Sequence, residues 1–543
     1  MRLHLPLLLA SLAGVVVSAQ EVVDLGYAKY KGDAAKVPGY TAFYGLHYAV
    51  AERFGAPRPP HSLASKGIIN ADDTHTVCFQ GLTENAAAAG KNQSEDCLLL
   101  DVYTPHNTSN SHARLPVLVY IHGGSYQLNS KNEVDPTLMA EHSDQPFILV
   151  SINYRLGVFG FNQGKEFHKL GGVANGALLD QQEALRWIQK HIAKFGGDPD
   201  HVVLSGQSAG AGSVLQHVVS PRAKGLFKTV WTMSVFLPPQ PTAQGETSSK
   251  TYKELVDVAG CAKVRNSLKC LRKLDANAML NASLVLSNKS TYTYFPWQPV
   301  IDGKVIVENP YKTLGEGRRA INGQAILVGS QVNEGVIILY QNQTTPAETH
   351  KEVRRLFPRL SEHRVQQLLR LYPRVDNEDG RVAELISDGF FKCASNALAS
   401  AFHAHGKAAY RYSIEVLPSL HGQDLVYFYN RSADLLDFYG PPQPDVVPSV
   451  VKQTTRFLFA KDVSASSSSY AGVKFNPSDE KLMSYDSKHK TLTPWTFRGV
   501  NLKNETAASG VQREATSAKI TSAAVGNKED VCRFWIDNFP DLY

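Results

Sequence analysis

The sequence predicts an α/β fold: a large, mostly parallel central sheet flanked by helices. Three observations predict it. The runs Pro116-Val117-Leu118-Val119-Tyr120-Ile121 and Phe147-Ile148-Leu149-Val150-Ser151-Ile152 are near-continuously apolar. Strands without polar alternation are buried on both faces, as in a parallel sheet covered by helices. Leu178, Leu185, Ile188, Ile192 and Phe195 then fall on one helical face before the apolar strand Val202-Val203-Leu204, so the order is strand, helix, strand. That strand runs into Gly206-Gln207-Ser208-Ala209-Gly210 and a helical Ala211, Val214, Leu215, Val218 pattern, which puts Ser208 at a strand-to-helix turn.

Taken in order, the chain opens with Met1-Arg2, an apolar stretch from Leu5 to Val17, and Val17-Ser18-Ala19. A short basic start, an apolar core too short to span a bilayer and small residues at the cleavage positions predict a signal peptide over residues 1–19. A single domain is expected over residues 20–543, because no linker divides the rest. Loose alternation from Val22 to Tyr30 and the Phe43–Val50 segment predict an antiparallel sheet margin, closed by a turn at Pro57, Pro59 and Pro60. A strand follows the acidic pair in Ser94-Glu95-Asp96-Cys97-Leu98. After the strand at 116–121 comes His122-Gly123-Gly124-Ser125-Tyr126. The helix at 177–195 ends at Gly196-Gly197-Asp198-Pro199, glycine then proline. Short buried strands are expected at Gln324–Val328 and Ala409–Ile414, with mostly helix between Lys351 and Phe402. Residues 464–469 read as a Ser-rich loop, and about 499–528 as a polar surface connection.

Composition narrows the function. A net charge of +6 over this length, without a block of basic residues, gives no indication of nucleic-acid binding. No run of about eighteen apolar residues follows the leader, so stable membrane insertion is not expected. Six cysteines (Cys78, Cys97, Cys261, Cys270, Cys393, Cys532) contain no Cys-x-x-Cys pair and, behind a leader, read as disulfides rather than a metal site. Fifteen pairings are possible; spacing favours Cys78 with Cys97 and Cys261 with Cys270, which leaves Cys393 for Cys532. Glycosylation sequons occur at Asn92, Asn107, Asn281, Asn288, Asn342, Asn430 and Asn504. Secretion is the common expectation.

A serine at a Gly-x-Ser-x-Gly junction is forced into a strained backbone, which presents its hydroxyl at a helix N-terminus. The hydroxyl becomes a nucleophile only with a base, a group that orients the base, and donors for the resulting oxyanion. Eighteen histidines make composition uninformative, so position must select. Glu334 follows the Gln324–Val328 strand and His421 follows the Ala409–Ile414 strand, in the chain order serine, acid, histidine. Gly123-Gly124-Ser125 follows a buried strand and would aim N–H groups into the cleft, joined by the N–H of Ala209.

These residues, with Asn153-Tyr154-Arg155-Leu156-Gly157, Leu179-Asp180-Gln181, Phe195-Gly196-Gly197-Asp198-Pro199, Pro299-Val300-Ile301-Asp302-Gly303, Asn333-Glu334-Gly335 and His421-Gly422, make the chain resemble the type B carboxylesterase/lipase family of cholinesterase-like α/β-hydrolases over nearly the whole mature length. The resemblance implies Ser208 as nucleophile, Glu334 as acid, His421 as general base then acid, and oxyanion donors from Gly124, Ser125 and Ala209. It also implies the same cysteine pairing, Cys393 with Cys532 included. The implied substrate is a small-molecule ester, and the chemistry needs neither metal nor organic cofactor.

Departures from the family pattern limit the transfer. Ser125 stands where many members have a third glycine, and Gln207 replaces the glutamate that commonly precedes the nucleophile. No tryptophan lies between Cys78 and Cys97, against a dedicated cholinesterase. The segment from Phe79 to Asp96 is short and has only Phe79 and Leu82 as sizeable apolar groups, against an amphipathic lid. An esterase for dissolved esters is therefore expected ahead of an extracellular lipase for longer acyl chains or a non-catalytic adhesion or scaffold protein. Phe295 and Trp297 are candidates for the acyl pocket, with plain core packing as the other reading.

Overall fold

The computed structural model describes residues 21–63, 66–81, 92–106, 108, 113–289, 296–315, 319–338, 345–372, 378–414, 419–429, 436, 439–442, 444, 446–462, 483–484, 528–539 and 542. The leader, the Ser-rich loop, Phe295, and the sequons Asn107, Asn342, Asn430 and Asn504 lie outside the described residues.

Among the described residues the central sheet has ten strands. In chain order they are β1 (Asp33–Val37), β2 (Tyr40–His47), β3 (Leu99–Pro105), β4 (Leu115–Ile121), β5 (Ile148–Ile152), β6 (Gly197–Gln207), β7 (Thr229–Met233), β8 (Ala325–Gln331), β9 (Ala408–Ile414) and β10 (Met483–Ser484). Their spatial order is β10-β9-β8-β7-β6-β4-β5-β3-β2-β1. From β10 to β5 every pairing is parallel, and β3, β2 and β1 continue the sheet antiparallel. The fold is thus the large, mostly parallel sheet that the apolar runs predict; of the expected antiparallel margin, Tyr40–His47 lies at its N-terminal edge, whereas Val22–Asp24 and Lys29–Lys31 pair with each other in a separate small sheet completed by Ile68–Asn70.

Alternate residues of the central strands feed two cores. Val117, Val119, Ile121, Val202, Leu204, Ile326 and Val328 pack on one face, and Leu118, Tyr120, Val203, Trp231, Leu327 and Tyr412 on the other. Because the strand period is two, a chain buried on both sides must be apolar at nearly every position, which explains the missing polar alternation.

The elements differ from expectation in extent. β6 starts at Gly197, inside a segment that reads as a turn, and β8 runs on to Gln331 because its polar end pairs with β9 through Ser330↔Ser413 and Gln331↔Ile414. β7 has no counterpart in the sequence reading. The helix before β6 is α1 (Gly176–His191), continued by a 3-10 turn over Ile192–Phe195 and stopped at Gly196 with φ 86°. Helix α2 (Ala209–Val219) follows β6, and the region read as mostly helical includes α3 (Glu378–Ser387) and α4 (Cys393–Ala404), joined by a π-helical turn at Asp388–Lys392.

Three disulfides join Cys78 to Cys97, Cys261 to Cys270 and Cys393 to Cys532, the pairing that spacing and elimination favour. The last fastens α5 (Lys528–Asn538) to the start of α4. Asn92, Asn281 and Asn288 are exposed.

Candidate active site

Ser208 occupies the turn between β6 and α2 with φ 57° and ψ −122°, a conformation that costs on the order of 1–3 kcal/mol for a residue with a side chain. Flanking contacts show why its neighbours are glycines. A Cβ at Gly206 would stand 2.5 Å from the Gly210 carbonyl carbon, and one at Gly210 would stand 2.0 Å from the Ile121 carbonyl oxygen. The turn is held by the Ser208 N–H, which donates to Met233 O at 2.9 Å, and by Ser208 O, which accepts from Gly212 N and Phe236 N.

Two loops bring partners to Ser208. His421 Nε2 lies 2.8 Å from Ser208 Oγ, and His421 Nδ1 lies 2.6 Å from Glu334 Oε2. A carboxylate only accepts, so Nδ1 carries the proton and Nε2 is left to accept from the serine hydroxyl. Glu334 is fully buried, and its other oxygen accepts the Gln331 N–H at 2.7 Å. Ser208, Glu334 and His421 follow β6, β8 and β9, so all three stand at the carboxyl ends of parallel strands, where open α/β sheets bind ligands. Gly335 lets α3 approach this turn: a Cβ there would stand 2.0 Å from Ala383 O, and its N–H donates to Ser387 Oγ at 2.8 Å.

The loop after β4 passes against the same serine. A Cβ at Gly123 would stand 2.9 Å from Gln207 O and 3.1 Å from Ser208 Cβ. Gly124, Ser125 and Tyr126 have φ of 99°, 54° and 63°, a left-handed run that only glycine adopts without strain. A side chain at Gly124 is excluded on a second ground, since its Cβ would lie 2.2 Å from Leu128 O. Ala209 is the first residue of α2, where the helix supplies no acceptor for its N–H. His122 anchors the loop from behind: it stacks on Tyr154 at 4.3 Å, its carbonyl accepts the Tyr154 hydroxyl, and burial pushes its imidazole pKa down to about 4. The loop's anchor is therefore uncharged near neutral pH.

The structure therefore brings Ser208, Glu334, His421 and the loop with Gly124 and Ser125 to one place. Trp297 is fully buried, with its carbonyl accepting from Gln127 Nε2, and it packs in the larger core cluster. Three further contacts reach His421, none with a signal in the sequence. The Gln207 amide nitrogen lies 3.3 Å from His421 Nε2, the Tyr439 hydroxyl donates to His421 O at 2.5 Å, and the Phe391 ring packs on the imidazole. Phe391 sits in the π-helical turn; the sequence shows only a helical stretch there, and such turns recur at functional sites. Among the described residues no group of three or more His, Cys, Asp or Glu side chains could hold a metal ion.

Comparison with known proteins gives a consistent picture. Residues 19–491 match the model of the Carboxylesterase family. Carboxylesterase patB of Aspergillus clavatus is 31% identical over 486 residues, 78% of this chain and 86% of that protein. Para-nitrobenzyl esterase of Bacillus subtilis is 31% identical over 61% of this chain and 66% of its own length. Secreted triacylglycerol lipase LIP1 of Gibberella zeae is 29% identical over 73% of this chain and 71% of its own length. Among solved structures, EstA of Aspergillus niger superposes with a TM-score of 0.75 over 97% of this chain and 99% of that one, at 24% identity, a likeness of fold.

Proposed function

The chain belongs to the carboxylesterase family of carboxylic ester hydrolases, and on that premise we propose that it is a secreted serine carboxylesterase working through an acyl-enzyme on Ser208. The observation that carries the reading is the continuous relay Ser208 Oγ, His421 Nε2, His421 Nδ1, Glu334 Oε2. As Ser208 Oγ bonds to the ester carbonyl carbon, its proton passes to His421 Nε2, and Glu334 stabilises the imidazolium and keeps its tautomer. The carbonyl oxygen becomes an oxyanion within reach of the N–H groups of Gly124, Ser125 and Ala209. Each such donor is typically worth about a hundred- to a thousandfold in rate. His421 then protonates the departing alkoxide. In the second half it takes a proton from water, whose oxygen attacks the acyl carbon and releases the acid and the Ser208 hydroxyl.

Secretion is supported by the three disulfides and by a relative named as a secreted lipase. No helix among the described residues is long and apolar enough to cross a membrane. The substrate class is a small-molecule ester, handled by a single catalytic domain over residues 20–543.

Nitrophenyl esters from acetate to palmitate, with Ser208→Ala as control, test the reading. The wild type releases nitrophenol with an acyl-enzyme burst, and the variant, folded by circular dichroism, shows neither; an undiminished rate in Ser208→Ala would sink the assignment. Lipases among the relatives favour a second reading. It predicts that activity jumps when a short-chain ester passes its solubility limit, where an esterase shows no jump.

A further inference from the structure

Strands β8 and β9 end their ladder at Gln331↔Ile414, and Glu334 and His421 lie beyond that point on separate loops. Their meeting must be organised after the strands stop. Ser419, fully buried and with φ 49°, stands where this happens. Its hydroxyl faces the carbonyl of Ile414, the last residue of β9, and the Gln331 side-chain oxygen at 3.3 Å, and it accepts the Val332 N–H at 2.9 Å. Its carbonyl accepts the Asn333 N–H at 2.9 Å, and Asn333 and Leu420 form an isolated parallel bridge. One residue further along each chain, the next pair is Glu334 and His421.

We propose that Ser419 is a positioning residue: its hydroxyl and carbonyl restart the parallel register beyond the sheet, so that acid and base arrive as the next opposed pair. This rests on the Ser208-His421-Glu334 reading above and adds a residue that acts on turnover through that pair, touching neither substrate nor the reacting atoms. The hydroxyl has one hydrogen for two acceptors at the strand ends while receiving an N–H, so it links the tips of both strands to both loops. Removing it frees the Val332 and Asn333 segment to shift against Leu420. Displacements of about 1 Å in such a constellation can cost about a hundredfold in rate.

The test is a double-mutant cycle on a soluble nitrophenyl ester, normalised to active sites by the acyl burst. Ser419→Ala and Ser419→Gly, the second also relieving φ 49°, should each lower kcat about tenfold or more with KM changed less than about threefold. In a Glu334→Gln background, Ser419→Ala should cost less than about twofold, because the pair it positions is already broken. Equal losses in both backgrounds would show a general structural role and overturn the proposal, as would full activity in Ser419→Gly. A Ser208→Ala enzyme that keeps its rate would instead sink the triad reading, so the two failures are distinguishable.

Discussion

The ring of Phe391 lies against the imidazole of His421, centroids 4.5 Å apart and planes inclined at 47°. Phe391 belongs to the π-helical turn; its neighbour Phe390 stacks on Phe357, and Phe390 and Phe391 share Phe236 as a packing partner. The imidazole is thus held by Glu334 at one nitrogen and by a packed ring at its face. Phe391→Ala should lower kcat about tenfold on a soluble ester, and Phe391→Leu should restore most of it by refilling the volume. Steady-state kinetics on both variants, with melting curves to separate loss of fold, check this.

The glycines flanking Ser208 make a sharper prediction about stability. Gly210→Ala sets a Cβ against the Ile121 carbonyl, rigid backbone that cannot move without displacing β4, and should cost about 3 kcal/mol or more. Gly303→Ala is the matched control: φ is 72° but nothing lies within 4 Å, so only the left-handed backbone is penalised, by about 1 kcal/mol. Urea unfolding of the two variants should rank them in that order.

Buried histidines shape the response to acid, His122 and His217 the most deeply placed of them. Burial pushes His122 down to about 4 and His217 down to about 3, against an ordinary value of 6.5. The unfolded chain therefore binds protons that the folded one refuses between pH 6.5 and the depressed values, so stability falls as pH falls through that window. For His122 alone the loss approaches about 3 kcal/mol by pH 4. His217→Gln, which retains a side-chain donor for Gln181 and cannot take up a proton, should flatten the decline below pH 6 in denaturant titrations across pH.

What was legible in the sequence follows from how local its cause is. Gly206 and Gly210 are required by a backbone turn a few residues long, so the Ser208 junction can be read directly. Glu334 and His421 are legible because each follows a buried strand in the right chain order, and Gly123-Gly124 because glycines directly after a buried strand leave N–H groups free to face a cleft. Ser419 and Phe391 leave no such trace, for a serine in a loop and an aromatic in a helical stretch gain their roles only from what tertiary folding sets beside them. β7 shows no continuous apolar run, because Thr229 and Thr232 interrupt it, although both are fully buried.

Helix α5 carries one more consequence. Trp535 stands about 3 Å from where a Cβ of Gly389 would be, packs tilted against the Phe357 ring and donates to the Tyr372 hydroxyl, while Cys532 bolts the helix to Cys393. The brace beneath the π-helical turn is thus translated long after the turn itself. A growing polypeptide displays serine, acid and imidazole before it owns the wedge that steadies them. Catalytic competence would come late in biosynthesis, and a molecule shortened ahead of position 532 would hold the reagents without their clamp.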